Sequence, residues 1–91
     1  MNSKTFHVSI LTPEKAIYEG EVSSLVAPSE LGYMGVLVDH APLIANLKAG
    51  KIVLKTAAND TKTFYLNGKG FLEILKNNAT LLLDSVEPAV S

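Results

Sequence analysis

The chain has 91 residues, 47% of them hydrophobic and 19% charged, which is enough apolar content for one packed core and too little charge for disorder. It contains no cysteine, which excludes a disulfide framework, thiolate catalysis and cysteine-ligated metal sites. Its 8 basic residues are all lysine and stand against 9 acids, for a net charge of -1, so it lacks the positive surplus that a nucleic-acid surface requires.

The polar start Met1 to Lys4 leads straight into Thr5 to Leu11, without the apolar stretch and small-residue cleavage site of a signal peptide. No run approaches the ~20 apolar residues that span a bilayer. The expectation is an intracellular chain whose association with a membrane, if any, goes through a partner.

Phe6, Val8 and Ile10 alternate with His7, Ser9 and Leu11, the period of two that sends neighbours to opposite faces of a strand. This puts His7 on the outward face. Thr12-Pro13 ends the strand. From Lys15 to Ala27 the chain is rich in Ile, Tyr and Val and breaks at Gly20, where a bulge or sharp bend is cheapest. Val22, Ser24 and Val26 are expected to share a face. Pro28 opens a loop, Ser29 to Gly35, whose two glycines allow positive φ around large apolar residues.

Further strands are expected over Val36 to Val38 and Leu43 to Leu47, with Asp39-His40-Ala41-Pro42 and Lys48-Ala49-Gly50 as turns. Asn59-Asp60-Thr61 and Asn77-Asn78 read as hairpin connections between Lys51 to Ala58 and Lys62 to Leu66, and between Phe71 to Lys76 and Ala79 to Val86. Asn67-Gly68 has the chemistry of a two-residue hairpin turn, and Lys69-Gly70 behind it leaves room for a longer bend. Phe71, Leu72, Ile74 and Leu75 are compatible with a helical turn and a half that the Asn pair would stop. Pro88 to Ser91 read as a frayed tail. Many short strands between turn signals point to an all-β sandwich or barrel.

No catalytic constellation emerges. Gly50-Lys51-Ile52 and Gly68-Lys69-Gly70 lack the hydroxyl and the helix of a phosphate loop. Asp39 and His40 are neighbours, which an extended chain points apart, and a turn bonded to local backbone accounts for them. A small hydrolase built on His40 would need a nucleophile that nothing here places. Two histidines without a local ligand pattern do not make a metal site. Leu31, Tyr33 and Met34 differ in kind, because large apolar side chains beside surface glycines need a cover. Either a partner supplies it, or the loop folds back on the sandwich as a lid.

Leu11-Thr12-Pro13-Glu14, Tyr18-Glu19-Gly20, the stretch from Ala27-Pro28 to Gly35, and Asp39-His40-Ala41-Pro42-Leu43 followed by Leu47-Lys48-Ala49-Gly50 together resemble the epsilon subunits of bacterial and chloroplast F-type ATP synthases. The likeness runs from Thr5 to Val86 and takes in Phe71-Leu72-Glu73-Ile74 and Ala79-Thr80-Leu81-Leu82-Leu83 as closing strands. It implies a flattened antiparallel β-sandwich or barrel, a single domain over residues 1–91 ordered from 5 to 86.

It also implies a non-catalytic rotor subunit of the central stalk, without cofactor, metal or small-molecule substrate, that links the gamma subunit to the membrane c-ring and couples ion flow to ATP synthesis. Carried over by position, Ser29, Glu30, Leu31, Gly32, Tyr33 and Met34 would face the c-ring, and His40, Ala41 and Pro42 would lie near gamma. The implied location is the cytoplasmic face of a bacterial plasma membrane, held there through the complex without direct insertion, ahead of the stromal face of a thylakoid. The rival expectation is a stand-alone sandwich that takes a peptide or glycan at the 29–35 loop.

Three departures accompany the likeness. Typical members continue into a C-terminal pair of helices that regulate hydrolysis, a pair these 91 residues do not include, so its activity is not expected of them. Val38-Asp39 replaces the Pro-Gly or Pro-Asn before His-Ala-Pro, and Asn67-Gly68-Lys69-Gly70 replaces a tighter Gly-Gly.

Overall fold

Residues 4–88 are described in the computed structural model, and within them every regular element is a strand. In chain order these are β1 (Phe6–Leu11), β2 (Ala16–Ser29), β3 (Gly32–Val36), β4 (Leu43–Leu47), β5 (Gly50–Thr56), β6 (Thr61–Leu66), β7 (Gly70–Leu75), β8 (Asn78–Leu83) and β9 (Val86–Pro88). The hydrogen-bonded order is β1-β8-β7-β4-β2-β5-β6-β9, with β3 and β1 also on β2. The result is two layers that share β2: β2-β1-β8-β7-β4 and β3-β2-β5-β6-β9. All pairings are antiparallel except β1 with β8, which is parallel.

The core is the sum of the inward positions. Phe6, Val8 and Ile10 meet Leu72, Ile74, Ala79, Leu81 and Leu83 in one layer, and Leu25, Ala27, Ile52, Leu54, Phe64 and Leu66 come from the other. Strand β7 alternates without fault, Leu72 and Ile74 in, Phe71, Glu73 and Leu75 out, so the helical alternative for this segment falls. Tyr18 and Phe64 reach across the layers with ring centroids 6.1 Å apart and planes at 57°, the tilted geometry that aromatic quadrupoles prefer.

The break expected at Gly20 lies elsewhere. Gly20 stays in register opposite Val8, and the space beside it is taken by the Tyr18 ring, whose hydroxyl lies 2.8 Å from where a Cβ would stand. Against β5 the irregularity is at Ser23: Val22 pairs with Thr56 and Ser24 with Lys55, so Ser23 is the extra residue of a β-bulge; against β1 a second shift lies at Ile17, where Ile10 pairs with Tyr18 and Leu11 with Ala16. The bulge reverses the side-chain phase. Val22 is buried before it and Leu25 and Ala27 after it, while Val26 is left exposed, which corrects the expectation that Val22, Ser24 and Val26 share a face.

Turn chemistry places the connections with shifts of a residue or two. The β7–β8 hairpin turns on Lys76-Asn77, with φ of 50° and 62°, and Asn78 already belongs to β8. The β5–β6 connection spans residues 57–60, with Asn59 at φ 71°. Asn67-Gly68 makes no hairpin, because β6 and β7 lie in different layers and do not pair. The 67–69 segment is a crossover that runs beside the next one, 84–85, joined by Asn67 N–H to Ser85 O and Asp84 N–H to Lys69 O, both 3.0 Å. That second crossover cuts the expected Ala79 to Val86 strand in two. Pro88 lies in β9 opposite Phe64 rather than in a tail; the rest of the expected tail, 89–91, falls outside the described residues.

The register makes a sharp prediction at two adjacent leucines. Leu81 is fully buried and Leu82 is 51% exposed. Leu81→Ala is expected to lower the unfolding free energy by about 2–5 kcal/mol and Leu82→Ala by no more than about 0.5 kcal/mol, read from urea denaturation midpoints; equal losses would contradict this register.

Candidate docking surface

The segment expected as a loop from Ser29 to Gly35 is mostly strand. β2 continues through Pro28 to Ser29, the turn consists of Glu30 and Leu31, and Gly32 to Gly35 pair with Ser29 to Val26 in β3. Two contacts shape the tip: Ser29 Oγ donates to Gly32 O at 2.6 Å and accepts from Leu31 N–H at 3.2 Å. Gly32 takes φ 126°, a conformation that a side chain would resist. The tip is fastened to β4 by Glu30 N–H to Asn46 O, 3.0 Å, and Lys48 N–H to Pro28 O, 2.9 Å.

The two covers proposed for the apolar residues divide between them. Leu31 is 100% exposed and Tyr33 62%, whereas Met34 is half-buried and packs on the core. Tyr33 is exposed but not loose, since its hydroxyl accepts the Lys51 N–H at 3.1 Å. Ser29 is buried and Glu30 exposed. These residues line one side of a groove of about 580 Å³ whose other side is Leu43, Ile44, Ala45 and Asn46 of β4.

His40, Ala41 and Pro42 lie at the opposite end of β4 from this tip, roughly 14 Å away at the usual rise per residue of a strand. The structure therefore does not gather the two groups into one cluster; β4 separates them. His40 Nδ1 lies 2.7 Å from Ala41 O, a local contact. Asp39, at φ 63°, faces away to Asn77. No group of three or more His, Cys, Asp or Glu side chains is arranged for a metal ion among the described residues.

Sequence reasoning missed a second part of the surface. On the outer face of the β1-β8-β7-β4 layer, Asn46 stands opposite Phe71, Phe71 opposite Leu82, and Leu82 opposite Leu11, so the row is apolar over three strands. Phe71 is 54% exposed, and Ile44, one step along β4, is 73% exposed. A second groove of about 580 Å³ runs over this row between Pro13, Glu30, Asn46, Phe71, Leu82 and Asp84. The signal was present in the pattern: where Leu72 and Ile74 are inward, Phe71 must be outward, and where Leu81 and Leu83 are inward, so must Leu82.

Fold and surface place the chain among small β-sandwich domains with an apolar, solvent-facing rim. A family model described as ATP synthase, Delta/Epsilon chain, beta-sandwich domain matches residues 5–89, and the chain belongs to that family. An ATP synthase epsilon chain of Chlorobaculum tepidum is 41% identical over 85 residues, covering 93% of this chain and 96% of the relative. One of Dichelobacter nodosus is 38% identical over 87 residues, covering 96% of this chain. Against that relative the chain spans only 60% of the length.

Among solved structures, a chain of the Euglena gracilis mitochondrial ATP synthase (OSCP/F1/c-ring, rotational state 1) superposes with a TM-score of 0.86 at 15% identity, over 97% of this chain and 56% of that one. A chain of the Tetrahymena thermophila mitochondrial ATP synthase central stalk/c-ring gives 0.76 at 13% identity, over 94% and 68%. At such identities the likeness establishes the fold.

The tie between Tyr33 and Lys51 can be tested alone. Tyr33→Phe keeps the ring and removes the acceptor, so the Lys51 amide is expected to exchange faster by NMR while global stability falls by about 1 kcal/mol or less; an unchanged Lys51 amide would show that the hydroxyl does not hold the hairpin to β5.

Proposed function

We propose that this chain is a non-catalytic rotor domain of the epsilon type, which links the gamma subunit to the membrane c-ring of an ATP synthase. The observation that carries the proposal is the exposed apolar row of Phe71 and Leu82, with Ile44 beside it, next to a hairpin tip that exposes Leu31, in a chain of this family. Apolar side chains of this size, left exposed on neighbouring strands, mark a contact surface. In this assignment Ser29, Glu30, Leu31, Gly32, Tyr33 and Met34 face the c-ring, and His40, Ala41 and Pro42 lie toward gamma.

The role is mechanical and calls for no cofactor, metal or small-molecule substrate. A close-packed interior deforms little under load, so a sandwich whose two layers share a strand suits a part that passes torque and fixes position. The domain would sit at the cytoplasmic face of a bacterial plasma membrane through its partners. Regulation of hydrolysis is not assigned to these residues.

Two side chains give a clean test, because their contacts within the chain are few. Leu31→Ala combined with Ile44→Ala is expected to change the melting temperature little, since exposed positions shift stability by only about 0.5 kcal/mol. The same variant is expected to weaken assembly with purified gamma and c-ring by roughly fivefold or more, the loss of a contact that matters. Unimpaired assembly and coupling would overturn the assignment of the hairpin tip; capture of unrelated proteins or glycans instead of synthase subunits would favour a stand-alone binding module.

A further inference from the structure

We infer that Asn77 is a positioning residue for the His40-Ala41-Pro42 turn, acting through a two-bond clamp on Asp39; the functional half of this rests on the assignment of that turn to the gamma side. Asn77 Oδ1 accepts the Asp39 backbone N–H at 2.7 Å, and Asn77 Nδ2 donates to Asp39 Oδ1 at 2.9 Å. One amide thus grips one residue by both its backbone and its side chain, across 38 positions of sequence. Both residues are in the left-handed region, Asp39 at φ 63° and Asn77 at φ 62°, a conformation that Asn and Asp tolerate better than most residues.

The clamp is placed where the turn otherwise has little to hold it. Val38 and Leu43 bracket it by packing on the core, but Asp39 and Ala41 are exposed. Among the described residues, these two bonds are the ones that tie 38–42 to another element, the remaining contact being His40 Nδ1 to Ala41 O within the turn. Asn77 is itself anchored, because its carbonyl accepts the His7 N–H at 2.9 Å and it sits in the β7–β8 hairpin turn. The grip therefore passes the position of β1, β7 and β8 to the turn that precedes β4. Ordering a loop beforehand removes that cost from binding, which is what a partner-facing turn gains from the clamp.

Separating the clamp from the hairpin is possible at one position. Asn77→Gly deletes both side-chain bonds yet keeps a residue that takes positive φ freely in a two-residue turn. In the 91-residue chain, the Asp39 amide is expected to exchange about tenfold faster by NMR, the size of effect that loss of such bonds gives, with little change in melting temperature. Affinity for purified gamma is expected to fall by a similar factor. Asp39→Asn, which preserves an acceptor oxygen for Asn77 Nδ2, should retain both properties. An Asp39 amide unaffected by Asn77→Gly overturns the clamp, and faster exchange with unaltered gamma affinity overturns its positioning role. The double variant His40→Ala with Pro42→Ala keeps the two claims apart: if it binds gamma as the parent does, the gamma-side assignment has failed, while exchange at Asp39 still decides the clamp.

Discussion

Strand β2 runs for 14 residues and belongs to both layers, and the phase change that carries its apolar side chains from one layer to the other is set at Ser23. The bulge there lets Val22 face the core in the register that β1 requires, and Leu25 and Ala27 face it in the register that β3 and β5 require. A strict period of two cannot satisfy both layers, because a slip of one residue sends a strand's whole apolar set to the other face. One unpaired residue, with its hydroxyl near Lys55 O at 3.4 Å, thus stands against several buried aliphatic side chains at about 1.5–3 kcal/mol each. Burial wins by a wide margin.

The same strand fixes the hairpin tip. Past the bulge, β2 carries Pro28 and Ser29 to the far end of the sandwich, where Ser29 pairs with Leu47 of β4 as well as with Gly32 of β3. That junction closes the two layers on each other, and it also decides where Glu30 and Leu31 protrude. Exposure of Leu31 follows from the fold that buries Leu47 beside it: a two-residue tip has no length with which to fold back over the core.

Alternating strands were legible in the sequence wherever one face is apolar and the other polar, as in β1. The bulge was not, because Gly20 advertises conformational freedom more loudly than Ser23 does, yet at Gly20 a tyrosine ring already fills the empty side. Asn67-Gly68 misled for a related reason. Turn propensity reports that the chain can reverse, and says nothing of whether the strands on either side belong to the same sheet. The hairpin residues 29–34 were marked by their composition, but Ile44, Phe71 and Leu82 were hidden among apolar neighbours, since a run such as Leu81-Leu82-Leu83 looks like core until the register assigns the middle residue outward. Asn77 was seen only as a turn former; its partner 38 residues away is a product of tertiary folding.

Where the apolar surface stands has a bearing on how it can be used. Ile44, Phe71 and Leu82 project from laddered strands, and Tyr33 from a paired strand with its hydroxyl tied to β5. Side chains held this way have lost most of their backbone freedom when the chain folds, so contact with a partner pays little further ordering entropy, a cost that mobile loops pay in full on binding. The exposed turn before β4 lacks a ladder and has the Asp39–Asn77 clamp in its place. Both ends of β4 are thus ordered before any partner arrives, the hairpin at one end by its strand ladder and the turn at the other by the side-chain clamp, so neither exposed segment has to be ordered again on contact.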